Sequence, residues 1–435
     1  AVREIQNDKV WDMTEIYNDY ASDQIKKIFT DDPNALKAWT FDGKLMGIPM
    51  KARPAQPTRY GFWIRKDWLE KSGLPTPTSF AEMENLMKVF VEKNFGGVKG
   101  NYGLRLAKDL DAMNKLRPAF GISERNFTDV DGKLVYTQTL PELKSLWQKF
   151  ADWYKEGILS KNFPVSTNDN EGKQDWMNGK VGVFLDTTTG MAGNTTIYEW
   201  LKAKPDGDLV FVPLTTVDGK DPHYVADATY GDVILVNKKC KNPEAAMKII
   251  NLTTAIFNEP KPDYITDFEY NDGAKGGWAT FFMSIGRIDD PNLAIQNRKL
   301  TYEALKTGDE SILTPTAKLG TYDSIKAWLD QGQKNDNWTQ NFTYWRCGAP
   351  GEVIEYDLKK WETSDDFSYP PYWGSETPAY AKNAQNWYAK YIEFTTQAIL
   401  TGKTDDYFEQ WLKFFKANGG DEAVAEANEW YEKNK

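Results

Sequence analysis

The chain has 435 residues and a formal net charge of -10, and it has no apolar run near the roughly 20 residues that span a bilayer. This length exceeds that of a usual single hydrophobic core and predicts two lobes or domains. The acidic charge argues against nucleic acid as a partner, because a phosphate backbone requires a basic face.

The pattern near the N-terminus predicts a hairpin turn and a crossing between lobes. Asp42-Gly43 predicts the turn, because Gly adopts positive φ without a steric penalty. Apolar strands are predicted over 45–50 and 60–64. The segment between them contains Pro54 and Pro57, which exclude a helix and a regular ladder. A stiff polar segment between two strands indicates a chain that leaves one lobe and enters another.

Further along, apolar residues recur with helical or strand periodicity. Helices are predicted over 22–30, 33–39, 79–91, 140–156, 197–203, 244–252, 380–400, 404–415 and 421–435. Strands are predicted over 102–106, 181–185 and 209–212 and within 227–237, with a hairpin over 127–136. Ser79 followed by Glu82 forms a capping box, which marks a helix start. The C-terminal part is therefore predicted to be mostly helical.

Asp186 and Thr187 directly follow the apolar strand over 181–185. Polar and small residues at the carboxyl end of a strand lie where open α/β sheets bind ligands. We therefore expect both residues to contact a ligand. The segment 227–237 changes from polar to apolar and is a second candidate for a crossing between lobes.

The motifs of common cofactor sites are absent or incomplete. Neither the dinucleotide-binding glycine motif nor the Walker phosphate loop occurs. The segment 128–132 resembles part of a calcium loop, but it lacks the terminal Glu and predicts a hairpin turn instead. His223 is the only histidine, which excludes a multi-histidine metal site and favours a solvated loop position. We predict no metal and no cofactor, and the sequence leaves open whether Cys240 and Cys347 pair.

The chain is rich in aromatic residues, with 17 Trp, 22 Tyr and 22 Phe. Most of them are expected in the core, where large rings pack. Trp278, Trp345 and Trp373 differ, as do Trp338 and Tyr372, because they lie in loops beside Gly, Pro, Asn and Arg. Such loop rings suit stacking on the apolar face of a pyranose, and we expect them to contact a ligand.

Six short segments, each a weak signal alone, form a pattern when they are taken in order. They are 41–50 (FDGKLMGIPM), 63–74 (WIRKDWLEKSGL), 178–183 (NGKVGV), 242–248 (NPEAAMK), 304–309 (ALKTGD) and the C-terminal 419–435. Together they resemble the family 1 extracellular solute-binding proteins of bacterial ABC importers. The nearest branch comprises large lipoproteins, common in Gram-positive bacteria, that serve oligosaccharide uptake.

The resemblance implies an α/β fold of the two-lobe, type II periplasmic-binding-protein kind, with a helix-rich C-terminal region. The implied lobe limits are 1–58 with 234–330 for lobe 1 and 62–228 with 331–435 for lobe 2, joined by crossings near 54–62 and 228–234. Members ordinarily begin with further strand–helix units and a lipidated cysteine, so we expect the N-terminal part of lobe 1 and the anchor to be missing here. Some relatives carry a calcium loop where this chain has 92–101, which lacks the acidic series, so no calcium is expected.

The resemblance also implies a function. The chain would be the sugar-transport binding component that captures an oligosaccharide between the lobes and delivers it to the ABC transporter permease subunits. It would be a monomeric, extracellular, cell-surface lipoprotein without enzymatic activity. Ligand contacts are expected from charged, hydroxyl-bearing and aromatic side chains, namely Lys51, Arg53, Asp186, Thr187, Tyr230, Asp232, Trp278, Trp345, Arg346 and Trp373.

Two alternatives stay open at this stage. A glycan-degrading enzyme with an aromatic-lined cleft would need two facing carboxylates, and no local motif singles out such a pair. A peptide- or polyamine-binding protein of the same fold would also use an aromatic cleft. The sequence does not name the sugar, its linkage, its length or its charge.

Overall fold

The computed structural model describes residues 1–50, 52, 57–166, 169–188, 199–200, 203–204, 207–226, 232–258, 286, 288, 290–314, 317–332, 352–363, 366–374 and 376–435. Contacts between residues divide the chain into two compact units. The first unit is Ala1–Gln56, Ala226–Asp330 and Trp373–Glu376, and the second is Pro57–Val225, Gln331–Tyr372 and Thr377–Lys435. The lobe limits given above stay predictions.

The first unit combines short strands with helices from both halves of the chain. With elements numbered in chain order, its helices are α1 (Val2–Gln6), α2 (Thr14–Tyr20), α3 (Asp23–Asp31), α4 (Pro33–Lys37), α10 (Pro243–Asn258), α11 (Leu293–Thr307) and α12 (Asp323–Asp330). Its strands are β1 (Thr40–Phe41), β2 (Lys44–Leu45), β3 (Ile48–Pro49) and β10 (Val233–Ile234). β1 pairs with β2, and β3 pairs with β10, both in antiparallel register. The core of this unit includes Ile25, Phe29, Ile48 and Met247.

Both predicted hairpin turns are confirmed. Asp42 and Gly43 have φ values of 49° and 78° and join β1 to β2. Asp131 and Gly132 have φ values of 54° and 81° in the hairpin over 127–136. Two consecutive positive φ values match the twist of the flanking strands, and Asp followed by Gly tolerates them best.

The second unit contains a three-stranded sheet, a hairpin and a strand pair. Its strands are β4 (Tyr60–Arg65), β5 (Phe127–Val130), β6 (Lys133–Tyr136), β7 (Val183–Thr187), β8 (Leu209–Pro213), β9 (Tyr224–Val225) and β11 (Phe367–Ser368). In the sheet, β4 lies between β7 and β8 and is antiparallel to both. β5 pairs with β6, and β9 pairs in parallel with β11.

Helices make up the rest of the regular structure described in this unit. They are α5 (Lys66–Ser72), α6 (Phe80–Lys93), α7 (Asp111–Lys115), α8 (Leu143–Glu156), α9 (Asp169–Met177), α13 (Glu352–Thr363), α14 (Pro378–Thr401), α15 (Thr404–Ala417) and α16 (Gly420–Asn434). The Ser79 hydroxyl accepts a hydrogen bond from the Glu82 amide and so caps α6 as predicted, while the Glu82 carboxylate accepts from the Thr78 amide. None of the described helices combines the length and the apolar character that a membrane span requires.

Most of the described tryptophans lie in the core, as expected for large rings. The least exposed ones all belong to the second unit: Trp63, Trp68, Trp147, Trp153, Trp176, Trp200, Trp387 and Trp411. Tyr136 stacks on Phe415 with ring centroids 4.8 Å apart, which joins the β5–β6 hairpin to α15. These contacts make the C-terminal helices part of the second unit's core.

One predicted strand is absent, and one ring predicted to face a ligand packs within the second unit. Residues 102–106 form no strand, and their pairing is limited to one bridge between Leu104 and Leu159. Tyr372, expected as a loop ring facing a ligand, packs on Phe127 and Trp430 at centroid distances of 5.3 and 4.7 Å. Tyr372 is half-buried, and its ligand contact stays a prediction.

Candidate functional site

The structure describes four of the ten residues that the sequence nominated for ligand contact. The other six lie outside the described residues: Lys51, Arg53, Tyr230, Trp278, Trp345 and Arg346. Asp232 and Trp373 belong to the first unit, and Asp186 and Thr187 belong to the second.

In the first unit, Asp232 is exposed directly before β10, and its backbone carbonyl accepts a hydrogen bond of 2.8 Å from the Met50 amide. Trp373 is half-buried and packs against the first unit's core. The ring of Trp373 thus has a partly exposed surface, and its ligand contact stays a prediction.

In the second unit, Asp186 and Thr187 are the last two residues of β7 and do not follow it. The sequence predicted a ligand site at the carboxyl ends of parallel strands. That geometry does not apply to β7, because it pairs with the antiparallel β4. Thr187 lies opposite Tyr60, and Asp186 lies opposite Gly61, so the two side chains point to opposite faces. The polar pair therefore terminates an edge strand beside the start of β4.

Lys115 connects Asp186 to α7. Its Nζ lies 3.2 Å from Asp186 Oδ1 and 2.8 Å from Asp111 Oδ2. Burial disfavours the ammonium ion, but Asp186 and Asp111 outweigh it and raise the pKa of Lys115. Lys115 therefore stays a cation with one carboxylate on either side.

Tyr60 lies at the start of β4, and its hydroxyl is in the electrostatic reach of several charged groups. Burial, followed by the field of Glu124, raises the pKa of the Tyr60 phenol, while Lys115 and Arg125 act in the opposite direction. A neutral phenol both donates and accepts hydrogen bonds, which suits a sugar hydroxyl.

Glu124 lies in the loop before β5, close to Tyr60. Its Oε2 atom is enclosed and has no hydrogen-bond partner among the described residues. Burial raises the pKa of Glu124 to about 7, against which backbone amides and the cations Arg125 and Arg117 act. Arg125 itself donates from Nε and Nη2 to the Val225 carbonyl, at 3.1 and 2.9 Å.

We call the group of Tyr60, Lys115, Glu124, Asp186 and Thr187 the β4 edge cluster. It offers carboxylate acceptors, an ammonium donor and hydroxyls that do both, which are the groups that bind sugar hydroxyls with directional hydrogen bonds. No group of three or more metal-ligating side chains occurs in the described part of the chain.

Sequence reasoning missed three members of this cluster. The first is Lys115, which stands four residues after Asp111, so its ion pair with that residue could be predicted from helical spacing. Glu124 belongs to no motif, and Tyr60 was assigned only as a strand residue. Their roles depend on contacts between distant parts of the chain, which local patterns do not contain.

The structure describes His223 and one of the two cysteines. His223 is exposed beside β9, and its Nε2 lies 3.0 Å from Ser368 Oγ. Cys240 is half-buried and forms no disulfide within the described part of the chain, and Cys347 lies outside the described residues.

Comparison with known proteins gives consistent matches. A family model described as "Bacterial extracellular solute-binding protein" matches residues 2–256, more than half of the chain. Lipoprotein LipO of Bacillus subtilis is 22% identical over 441 residues, covering 100% of this chain and 79% of that protein. The polygalacturonan/rhamnogalacturonan-binding protein YtcQ of the same organism is 28% identical over 183 residues, covering 40% of this chain and 34% of YtcQ.

A solved structure is similar along the whole chain. The ABC-transporter substrate-binding protein FusA of S. pneumoniae, in complex with kestose, superposes with a TM-score of 0.62. The match has 14% sequence identity and covers 99% of this chain and 85% of FusA. At this identity the likeness shows the fold alone, and it confirms the α/β, two-lobe, type II fold that the sequence predicted.

Proposed function

Since the chain belongs to the family of bacterial extracellular solute-binding proteins, we propose that it captures an oligosaccharide and delivers it to the permease of an ABC importer. The family match over residues 2–256 is the observation that carries this proposal. Two relatives, YtcQ and FusA, have names or ligands that denote glycans. The β4 edge cluster supplies the donors and acceptors that a glycan requires.

We further propose a location and a state. The family is extracellular, and the relative LipO is a lipoprotein, which supports a position at the cell surface. The proposed state is a monomer.

The screen that tests this proposal uses neutral and acidic oligosaccharides. At least one glycan is expected to raise the melting temperature and to bind with one-to-one stoichiometry in calorimetry, because a ligand of the folded state stabilises it. Peptides and polyamines at the same concentration should leave the melting temperature unchanged. The absence of binding to every glycan, together with tight binding of a peptide, would contradict the proposal.

Asp186→Ala tests the second unit's share in binding. The variant should weaken the affinity for the bound glycan about 10- to 100-fold, because a hydrogen bond to a charged group is lost. The matched control is Asp208→Ala, at the opposite end of the same sheet, where Asp208 pairs with Lys66 on the surface. If calorimetry gives equal affinities for the two variants, Asp186 does not contribute to ligand binding.

The enzymatic alternative has one feature in its favour. A carboxyl with a pKa raised to about 7, such as that of Glu124, resembles the general acid of a glycosidase. Incubating the protein with its glycan and measuring new reducing ends distinguishes the two readings. We expect no release, and a release that Glu124→Gln abolishes would establish the enzyme instead.

A further inference from the structure

The residue that directly follows β7, Thr188, forms two hydrogen bonds within the second unit. Its backbone amide donates to the Arg59 carbonyl at 3.3 Å, and its hydroxyl donates to Asp357 Oδ2 at 2.8 Å. Thr188 and Asp357 are 7% and 3% exposed. β7 is an edge strand of its sheet, and its pairing with β4 ends at Thr187. The bonds of Thr188 therefore hold the chain where the ladder ends.

Asp357 is a fixed acceptor, because the segment that carries it is attached to the second unit at several points. Three residues further along α13, the Lys360 ammonium lies 2.6 Å from Asp221 Oδ2. Beyond α13, Asp366 pairs with the buried Arg59 at 2.9 Å, and β11 pairs with β9. An acceptor on a helix that is anchored in this way keeps its position relative to the sheet.

Thr188 is connected to the carboxylate of Asp186 through the residue between them. The Thr187 amide donates to Asp186 Oδ1 at 2.8 Å, and Lys115 Nζ lies 3.2 Å from the same oxygen. The orientation of this carboxylate therefore depends on the position of the Thr187 amide. That position depends in turn on the neighbouring Thr188, whose hydroxyl is bound to Asp357.

We infer that Asp357 is a positioning residue of the proposed glycan site, which acts through Thr188 to hold the end of β7 where Asp186 accepts from a sugar hydroxyl. The inference rests on the proposed function, because it names a residue that controls the affinity of that site. Asp357 is almost completely buried and has no surface to offer to a glycan. Because hydrogen bonds are directional, a displaced strand end would weaken the bond between Asp186 and the sugar.

The test removes the hydrogen bond between Thr188 and Asp357 from either side. The probe is the oligosaccharide, among kestose, oligogalacturonides and the other glycans of the screen, that the wild type binds most tightly in calorimetry. Thr188→Val should raise its dissociation constant about fivefold, because the isosteric side chain lacks the hydroxyl. Asp357→Ala removes the same bond and should have a similar effect, which gives a second variant. Thr188→Ser retains a hydroxyl donor and should retain the wild-type affinity.

A positioning role also predicts that the effect depends on Asp186. In the Asp186→Ala background, Thr188→Val should cause no further loss of affinity, because the group that Thr188 positions is gone. A role in stability alone would not produce this dependence.

Thr404→Val is the matched control. Thr404 is 6% exposed, belongs to the second unit, and its hydroxyl donates to Gln148 Oε1 at 2.8 Å. The control thus removes a buried threonine hydrogen bond of the same length, and it should lower the melting temperature without altering the affinity. Wild-type affinity of Thr188→Val and Asp357→Ala, or a loss that is equally large with and without Asp186, would overturn the inference while the proposed function stands. Wild-type protein that binds no glycan would overturn both.

Discussion

Replacing Asp366 with Asn is expected to lower the free energy of unfolding of the second unit by about 3–5 kcal/mol. Asp366 accepts hydrogen bonds from Arg59 at 2.9 and 3.4 Å, and the side chains are 12% and 2% exposed. The substitution removes the carboxylate charge that faces the buried Arg59 guanidinium, and Lys360, which lies 3.5 Å from the same carboxylate, loses this charge as well. Chemical denaturation followed by tryptophan fluorescence measures the loss, since the most buried tryptophans belong to this unit.

The matched control for this prediction is Asp218→Asn. Asp218 pairs with Lys220 at 2.6 Å, but both side chains are largely exposed. Water screens such a pair, so the denaturation midpoint should stay near that of the wild type. If Asp366→Asn and Asp218→Asn shift the denaturation midpoint equally, burial does not determine how much the Arg59–Asp366 pair contributes to stability.

The second large effect is expected from Glu124→Gln and depends on pH. The folded state raises the pKa of Glu124 to about 7, above its ordinary 4.5, because of burial. Between these values the folded chain keeps a proton that the unfolded chain has lost, so the free energy of unfolding falls as the pH rises. The loss approaches about 3 kcal/mol at pH 8. The neutral Gln avoids it, so the variant should be the more stable protein at pH 8 and equal to the wild type near pH 4.

Glu84→Gln is the control with the opposite sign. Burial favours protonation of Glu84, but hydrogen bonds from Trp153 and Lys149 outweigh it and lower the pKa. An acid whose pKa is lowered by folding stabilises the folded state at pH values above its pKa in the unfolded chain. This contribution is lost as the pH falls through its pKa in the folded state. Glu84→Gln should therefore be less stable than the wild type at pH 8, with a difference that shrinks on acidification. Parallel pH profiles for both variants would contradict the assigned environments.

The features that sequence predicted well depend on neighbouring residues. The Asp42-Gly43 turn and the Ser79 cap follow from backbone preferences over two to four positions, and both are confirmed. The strand over 60–64 also has the expected place, as β4. The order of six short segments identified the family. Each segment alone is a weak signal, but six such segments in the same order are specific for one family.

The features that sequence missed depend on contacts across the chain. The strand predicted over 181–185 is shifted to Val183–Thr187, because Asp186 and Thr187 find backbone partners on β4 in spite of their polar side chains. The sequence does not distinguish Tyr372 from an exposed loop ring, because its contacts with Trp430 and Phe127 join distant parts of the chain. The environment of Glu124 likewise depends on the Val225 backbone amide, which is distant in the sequence, and on Arg117.

The most direct test of oligosaccharide capture is calorimetric titration of the whole chain with the glycan that stabilises it most in the screen. The glycan is then recovered and its mass measured. The proposed function predicts saturable one-to-one binding, an unaltered glycan and a weaker affinity for Asp186→Ala than for Asp208→Ala. The absence of binding heat with every glycan, or recovery of shortened products, would contradict it.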